Sequence, residues 1–164
     1  MDILFHFTVG LIISKLLTGN YLILAGLFSM LPDLAGLIIR VKELIDCRKS
    51  PLKKIISDFR ESGFKGKFYA EWCYPLYRST HNLFTWLIVT VFSYLFFPNI
   101  FWLLPICYLS HIIIDIYSHQ KGFATRLFFP FSDFHIEGRT WADWRIFGFS
   151  WGALLLLVIL TFYS

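Results

Sequence analysis

The chain has 164 residues, of which 57% are hydrophobic, 20% aromatic and only 16% charged. A soluble domain averages about 25% charged residues, so this composition excludes a globule with an ordinary polar surface, and it also excludes disorder, which requires low hydrophobicity. The three cysteines, Cys47, Cys73 and Cys107, are too few and too widely spaced for a disulfide scaffold. The net charge of +4 does not indicate nucleic acid as a stable partner, because basic residues alternate with acidic ones beside long apolar runs. The expected partner is a lipid bilayer.

Five apolar segments along the chain predict membrane helices. A bilayer core about 30 Å thick needs roughly 20 apolar residues per helix. The turn signals Thr18-Gly19-Asn20 and Pro98-Asn99 divide the longer apolar runs, and Pro32-Asp33 interrupts the second segment. No basic residues precede the first run, so it does not resemble a cleaved signal peptide. The sequence predicts a single domain over residues 1–164, an all-α integral membrane bundle of about five helices at residues 3–17, 21–39, 82–97, 100–117 and 147–163.

The segment of residues 40–78 is predicted to be a basic cytoplasmic loop. It holds ten basic and five acidic residues. Its apolar positions recur at helical spacing, which indicates an amphipathic helix with a basic face; they are Leu52, Ile55, Ile56 and Phe59. Such a segment favours an anionic membrane surface. A solvated cytoplasmic loop helix explains the pattern equally well.

The distribution of basic residues predicts the orientation of the bundle. If the five segments cross the membrane alternately, fourteen of the fifteen Lys and Arg residues fall on one face, and only Lys15 lies towards the other. By the positive-inside rule, the basic face is cytoplasmic. We therefore expect a multi-pass protein of the inner (cytoplasmic) membrane, with a cytoplasmic N-terminus and a C-terminus on the opposite side.

The same alternation brings six ionisable residues to the cytoplasmic face at similar depth. They come from four of the five segments, and hydropathy alone does not require them to coincide. Ionisable groups at membrane depth are costly, rare and usually functional. The six are His6, Asp33, His81, His111, Asp115 and His119.

Three of these residues have a spacing that suggests metal binding. His111, Asp115 and His119 are four residues apart, so neighbouring members share one helix face, about 6 Å apart along the axis. Imidazole and carboxylate ligands suit Zn²⁺ best, with Mn²⁺ or Fe²⁺ as alternatives. Three protein ligands leave a position for water, whose pKa the metal lowers to about 7. The alternatives are a hydrogen-bonded structural pair or a proton relay. His135 is adequately explained as a residue of a polar loop and is not a candidate ligand.

Several short motifs resemble one known family. They are His6, Leu31-Pro32-Asp33, Thr80-His81-Asn82, the run from Ser110-His111 to Asp115, and Phe129-Pro130-Phe131-Ser132. Their order over about residues 3–135 resembles the membrane-bound metal-dependent hydrolases, which include the LexA-regulated hydrolases of the inner membrane. The chain departs from the pattern where members often have a second Asp, here Ala35, and where they often have His, here Tyr77.

That family is distantly similar to the all-helical zinc-dependent phospholipases C and single-strand nucleases. The resemblance implies that His81, His111 and Asp115 bind a first zinc, and that His6 binds a second with Asp115 as a bridge. It implies that Asp33 orients or deprotonates the attacking water, and His119 is a further candidate ligand. The His-x-x-x-Glu motif that holds a third zinc in those enzymes is absent, so one or two ions are expected.

The implied activity is hydrolysis of a phosphoester by zinc-bound hydroxide at the cytoplasmic face, with an anionic lipid or another phosphorylated compound as substrate. Two other classes stay open at this point. One is a polytopic transporter or relay protein that uses intramembrane His and Asp. The other is a non-catalytic membrane protein with a degenerate metal site.

Overall fold

The computed structural model describes residues 3–38, 41–42, 73–139 and 143–163. Within these ranges all regular structure is helical, which confirms the all-α class. The numbered helices are α1 Ile3–Leu17, α2 Leu22–Met30, α3 Cys73–Thr80, α4 Leu83–Phe96, α5 Leu103–Ser118 and α6 Trp144–Phe162. Short 3₁₀ turns occur at Leu31–Asp33 and Lys121–Phe123, and residues 34–38 are also helical. The predicted amphipathic positions Leu52, Ile55, Ile56 and Phe59 lie outside the described residues.

Helices α1 and α2 form a tightly packed antiparallel hairpin. The predicted turn at Thr18-Gly19-Asn20 is present, and Gly19 adopts a left-handed φ of 71° that favours glycine. Farther along the hairpin, Gly10 of α1 lies against the α2 backbone so closely that an added Cβ would be 2.5 Å from the Ala25 carbonyl oxygen. Small residues at such a crossing allow two helix backbones to approach, as in membrane helix pairs.

A break at Pro32 ends α2 and positions Asp33. The chain passes from α2 into the 3₁₀ turn Leu31–Asp33 and then resumes as helix at residues 34–38. Proline cannot donate the backbone hydrogen bond that a continuous α-helix requires at this point. The predicted segment at residues 21–39 is therefore interrupted where its sequence indicated, and Asp33 projects from the break.

Side-chain caps define the starts of α4 and α6, whereas α5 follows a turn and has no such cap. Asn82 caps α4, since its side chain accepts a hydrogen bond from the Thr85 backbone N–H at 2.8 Å. The turn after α4 is longer than the Pro98-Asn99 signal indicated. Helix α5 therefore begins at Leu103, three residues later than predicted. Helix α6 begins at Trp144, three residues earlier than predicted, because Asp143 caps it by accepting from the Arg145 N–H.

The helix order brings one set of helix ends to a common level. The start of α1, the end of α2, the end of α3 and the end of α5 meet there, as contacts between their side chains show below. At the opposite end, a buried apolar cluster joins the α1–α2 hairpin to the start of α5; its core is Ala25, Ile100, Leu103, Leu104 and Cys107. Near the end of α1, Lys15 lies 5.8 Å from the Phe162 ring centroid of α6. Near its start, the Phe5 ring lies 5.6 Å from the Trp151 ring, so helices α1 and α6 run parallel.

The outer faces of the helices are strongly apolar. Helix α4 exposes Phe84, Leu87, Ile88, Val91 and Leu95, each by half of its surface or more. Only one helix among the described residues, Trp144–Phe162, is both long and apolar enough to cross a membrane on its own, and 6% of its most apolar window is buried. Helices α1, α4 and α5 are apolar but shorter, with 15, 14 and 16 residues.

Candidate metal centre

Four side chains from three parts of the fold converge in one cluster. His111 and Asp115 occupy the buried face of α5, His81 follows the end of α3, and Asp33 comes from the turn after α2. His81, His111 and Asp115 are fully buried. One ligand atom from each of the four residues lies within 4.8 Å of every other.

The distances within this cluster suit a small divalent ion. His81 Nε2 lies 3.1 Å from His111 Nε2, and each of these nitrogens lies 3.2 Å from Asp115 Oδ2. Ligand atoms held about 2.0–2.1 Å from a tetrahedral zinc ion are about 3.3 Å apart. The three atoms therefore already have the mutual spacing of three zinc ligands.

Backbone carbonyls fix the tautomers of both histidines. His111 Nδ1 lies 2.7 Å from the Ser29 carbonyl oxygen, and His81 Nδ1 lies 2.9 Å from the Tyr77 carbonyl oxygen. A carbonyl oxygen only accepts, so each Nδ1 carries a proton and each ring directs its Nε2 at the cluster. This orientation of a histidine through its second nitrogen is the usual support of a metal ligand.

The resulting arrangement requires positive charge at its centre. Two imidazole nitrogens and a carboxylate oxygen face one another at 3.1–3.2 Å, and without a proton or cation among them their lone pairs repel. Buried groups that repel in this way are costly unless a proton or cation lies among them. A proton satisfies one pair of these atoms at a time, whereas a divalent ion contacts all three.

Asp33 completes the cluster at a slightly greater distance. Its Oδ1 lies 3.7 Å from His111 Nε2 and 3.9 Å from His81 Nε2. Its other oxygen, Oδ2, is buried and has no hydrogen-bond partner among the described residues. The position fits both a fourth ligand and the predicted role as the group that orients or deprotonates water.

The two oxygens of Asp115 face different sets of histidines. Oδ2 faces His81 and His111, while Oδ1 lies 3.2 Å from His6 Nε2 and 3.2 Å from His119 Nδ1. His6 is fully buried, its ring stacks on His111 with centroids 3.6 Å apart, and neither of its nitrogens has a hydrogen bond among the described residues. His6 Nε2 is therefore close to Asp115 Oδ1 but is not aligned with it as a hydrogen bond requires, as expected of a nitrogen placed to bind a metal. The other five predicted residues therefore surround Asp115, although His6 and His119 lie outside the compact group of four.

Tyr77 is a member of the site that the sequence did not identify as one. Its hydroxyl lies 3.2 Å from Asp115 Oδ2 as a hydrogen-bond donor, and its ring stacks on His81 with centroids 3.8 Å apart. Burial, reinforced by the charge of Asp115, raises the pKa of the Tyr77 phenol well above its usual range, so the phenol stays protonated. The signal for this role was the four-residue spacing to His81, which places the two side chains one helical turn apart at the end of α3.

The sequence also did not indicate that hydroxyl groups lie next to the cluster, because serine and threonine are common at helix ends. The Ser118 hydroxyl donates to Asp115 Oδ1 at 3.2 Å. The Thr80 hydroxyl lies 3.0 Å from the Pro32 carbonyl oxygen and 2.9 Å from His81 Nδ1, so it ties the end of α3 to the turn that carries Asp33. These contacts hold the ligands in place from a second layer.

Two arginines approach each other on the α3 side of the site. Burial, followed by the positive charge of Arg126, lowers the pKa of the Arg78 guanidinium. Arg78 Nε is buried with no hydrogen-bond partner among the described residues, although Nη2 lies 3.4 Å from the Gly122 carbonyl oxygen. Arg126 pairs with Asp133. Arg78 follows Tyr77 directly. The helix that supports the cluster therefore also carries a guanidinium whose Nε–H has no hydrogen-bond partner among the described residues.

His135, which the sequence left to a polar loop, does not join the cluster. It is exposed, and its ring contacts the Asp133 carbonyl at 2.8 Å and a Glu137 carboxylate oxygen at 3.3 Å. No protein-family model, curated protein or solved structure matches this chain.

Proposed function

We propose that the protein is a metal-dependent hydrolase of the membrane that acts on phosphoesters at the cytoplasmic face. The observation that carries this proposal is the convergence of His81 Nε2, His111 Nε2 and Asp115 Oδ2 at 3.1–3.2 Å, with both histidine tautomers fixed by backbone carbonyls. Such a donor set is typical of a catalytic Zn²⁺ site, with Mn²⁺ or Fe²⁺ as alternatives.

The residues around the cluster support a division of roles. His81, His111 and Asp115 would hold the ion, and His6 with Asp115 Oδ1 would serve a second one. A bound ion would polarise a phosphoryl oxygen and lower the pKa of a water molecule to about 7. Asp33 Oδ2, which is buried and unpaired among the described residues, would take the proton of that water. The guanidinium of Arg78 would pair with a phosphate oxygen.

The exterior of the fold supports a membrane location. Exposed apolar area on this scale is a liability in water, because large apolar patches on soluble proteins cause association. Helix α6, which buries 6% of its most apolar window, is long enough to cross a bilayer. The shorter helices α1, α4 and α5 would span with the help of flanking residues or local thinning of the bilayer.

The direct test is the metal content of the protein purified in detergent. We expect about one or two equivalents of zinc in the wild type, and loss of most of it in His111→Ala and Asp115→Ala. The reason is that each substitution removes a donor from the group of three. The measurement is elemental analysis after gel filtration, and phosphoester hydrolysis is assayed on the same samples.

A matched control is available in the exposed loop. His135→Ala removes an imidazole that lies outside the cluster, so its zinc content should equal that of the wild type. Unchanged zinc in both His111→Ala and Asp115→Ala would contradict the proposal. Stoichiometric zinc without hydrolysis of any phosphoester would leave a metal-binding membrane protein and remove the enzyme.

A further inference from the structure

A short loop between α5 and α6 exposes three phenylalanine rings. We call residues 127–134 the aromatic loop; its exposed rings are those of Phe128, Phe131 and Phe134, with 50%, 83% and 57% of their surface accessible. Exposed rings of this size are costly in water, because each leaves apolar area unburied. The motif Phe129-Pro130-Phe131-Ser132 of the sequence analysis lies within this loop, and the residues of the candidate metal centre all lie outside it.

The backbone of the aromatic loop forms its hydrogen bonds internally. Four N–H groups donate to acceptors between residues 126 and 132 at 2.9–3.2 Å; they belong to Phe129, Phe131, Ser132 and Phe134. Pro130 has no N–H group. The two charged side chains beside the rings, Arg126 and Asp133, pair with each other. Unpaired backbone groups and isolated charges are what make it costly for a loop to leave water, so this loop leaves water at little cost.

The aromatic loop is joined to the start of α4. The Leu127 carbonyl oxygen accepts a hydrogen bond from the Leu83 N–H at 2.9 Å, and the Leu127 side chain packs against the apolar core between α4 and α5. The Phe131 ring lies edge-on to the Phe84 ring, with centroids 6.2 Å apart. Phe84 is the first of the apolar residues that α4 exposes. The loop therefore continues the exposed apolar face of α4 at the start of the helix.

Helix α4 alone is shorter than the apolar layer that the fold would span. Its 14 residues extend about 21 Å, whereas the hydrocarbon core of a bilayer is about 30 Å thick. Helix α6 extends farther: its Trp151 ring lies 5.6 Å from Phe5 near the start of α1, and the exposed Trp144 lies seven residues, or about 10 Å, beyond. An exposed tryptophan at a helix end is typical of the membrane interface. The apolar layer around α6 therefore continues past the level at which α4 begins.

We propose that the aromatic loop inserts its phenylalanine rings into the cytoplasmic interface of the bilayer and extends the lipid contact of α4 there. The inference rests on the membrane location in the proposed function, and it assigns a role to a segment outside the metal centre. Interfacial segments bury rings and aliphatic side chains about 5–10 Å into the boundary between head groups and acyl chains. The three exposed rings and the internally bonded backbone match that environment.

An inserted loop also fixes the depth of the cluster of histidines and carboxylates. The Gly138 N–H, four residues after the aromatic loop, donates to the His119 carbonyl oxygen at 2.9 Å. The Arg139 N–H donates to the Tyr117 carbonyl oxygen at the same distance. The loop is thus held at one side by α4 and at the other by the end of α5, which carries Asp115 and His119. Its position in the interface sets the position of that end of α5.

Site-directed spin labelling measures the depth of the loop in a bilayer. A nitroxide is attached to Phe131→Cys or Phe134→Cys in the full-length chain, with its natural cysteines replaced by serine, in phosphatidylcholine vesicles. Oxygen concentrates among acyl chains and a nickel chelate stays in water, so the ratio of their collision rates with the nitroxide reports depth. We expect this ratio to be at least fivefold higher at both positions than at Glu137→Cys, where the side chain is 56% exposed. Leu95→Cys, on the exposed face of α4, gives the value for a residue in lipid.

The unsubstituted protein provides a second measurement, in case the cysteine replacements disturb the fold. A lipid-soluble aryl diazirine is dissolved in the same vesicles and photolysed, and tandem mass spectrometry locates the adducts. We expect adducts on Phe131 and Phe134 as well as on the exposed face of α4. Their yield should be at least fivefold higher than at Arg139, which is exposed beyond the loop.

Three results would overturn the loop proposal. Equal nickel accessibility at Phe131→Cys, Phe134→Cys and Glu137→Cys, or diazirine adducts on α4 alone, would place the loop in water. Protection of both nitroxides from oxygen as well as nickel would indicate that protein, such as a second copy of the chain, covers the loop. Nickel accessibility at Leu95→Cys would contradict the membrane location itself and the loop proposal with it. A loop shielded as expected in a protein that hydrolyses no phosphoester contradicts the enzyme and leaves the loop proposal intact.

Discussion

Two carboxylates in the cluster have surroundings that separate their roles. Asp115 is fully buried and is contacted by Tyr77 and Ser118 as well as by histidines, so both of its oxygens are engaged. Asp33 is 18% exposed, lies 3.7–3.9 Å from the two histidine nitrogens, and keeps one oxygen unpaired among the described residues. The first environment is that of a fixed ligand. The second is that of a group that handles a proton next to the site.

This difference predicts that Asp33→Asn separates metal binding from turnover. Asparagine keeps the size of the side chain and its carbonyl oxygen but cannot accept the proton of a water molecule. We expect zinc content close to that of the wild type and a fall in phosphoester hydrolysis of about 10²–10⁴-fold, the usual contribution of a general base. Elemental analysis and initial rates on the same preparation check it. Loss of zinc in Asp33→Asn would instead make Asp33 an essential ligand.

At the scale of elements, the α1–α2 crossing determines where His6 lies. His6 and Gly10 are one turn apart on α1, and Gly10 brings α1 against the α2 backbone at Ala25 and Gly26. From the same side, the Ser29 carbonyl of α2 orients His111. The tight crossing therefore places His6 of α1 at the same level as the Ser29 carbonyl of α2, which orients His111.

We predict that Gly10→Val loosens the hairpin and weakens the site. The new Cβ would lie 2.5 Å from the Ala25 oxygen and 2.8 Å from Gly26 Cα, both backbone atoms that cannot rotate away. Overpacking of this kind costs about 1–3 kcal/mol, so the thermal midpoint in detergent should fall and zinc should be retained less tightly. Gly152→Val on α6 is the control, because nothing lies within 4 Å of its added Cβ. Equal midpoints for both variants would show that the crossing is not tight.

At the scale of the whole molecule, the helix ends that carry the cluster share one level, and the turn after α4 lies at the other. His6, His81 and His111 each lie 3.2 Å from Asp115, and the Ser29 carbonyl lies 2.7 Å from His111. The Lys15–Phe162 contact marks the opposite ends of α1 and α6. If the fold spans a membrane, all residues of the site lie near one face of it.

The predicted orientation can be tested with two single cysteines in a chain whose natural cysteines are replaced by serine. Asn99→Cys lies in the exposed turn after α4, and Glu137→Cys lies in the loop before α6, where the side chain is 56% exposed. A membrane-impermeant maleimide applied to intact cells should label Asn99→Cys and should label Glu137→Cys only after permeabilisation. Labelling of both from the same side would contradict the orientation.

Local sequence signals predicted the first helix and the breaks, but not α3 (Cys73–Thr80), because most of its residues were assigned to the basic loop of residues 40–78. Hydropathy together with Gly19, Pro32 and Pro98 predicted the first segment to the residue and the interruption of the second. The starts of α5 and α6 were each wrong by three residues, because the prediction followed charge-free runs. The longer turn after Pro98 determines where α5 begins, and the cap at Asp143 determines where α6 begins. Capping depends on a few hydrogen bonds, which hydropathy does not report.

The sequence by itself determined that this chain is helical, apolar on its outer faces and supplied with six ionisable residues that alternate crossing would bring to one level. Periodicity and the length of apolar runs encode those properties residue by residue. Only the tertiary structure decided that His81 and His111 present their Nε2 atoms to Asp115, and that Tyr77 and Ser118 support that carboxylate. These features depend on side-chain direction and on carbonyls from distant segments, which no local pattern contains.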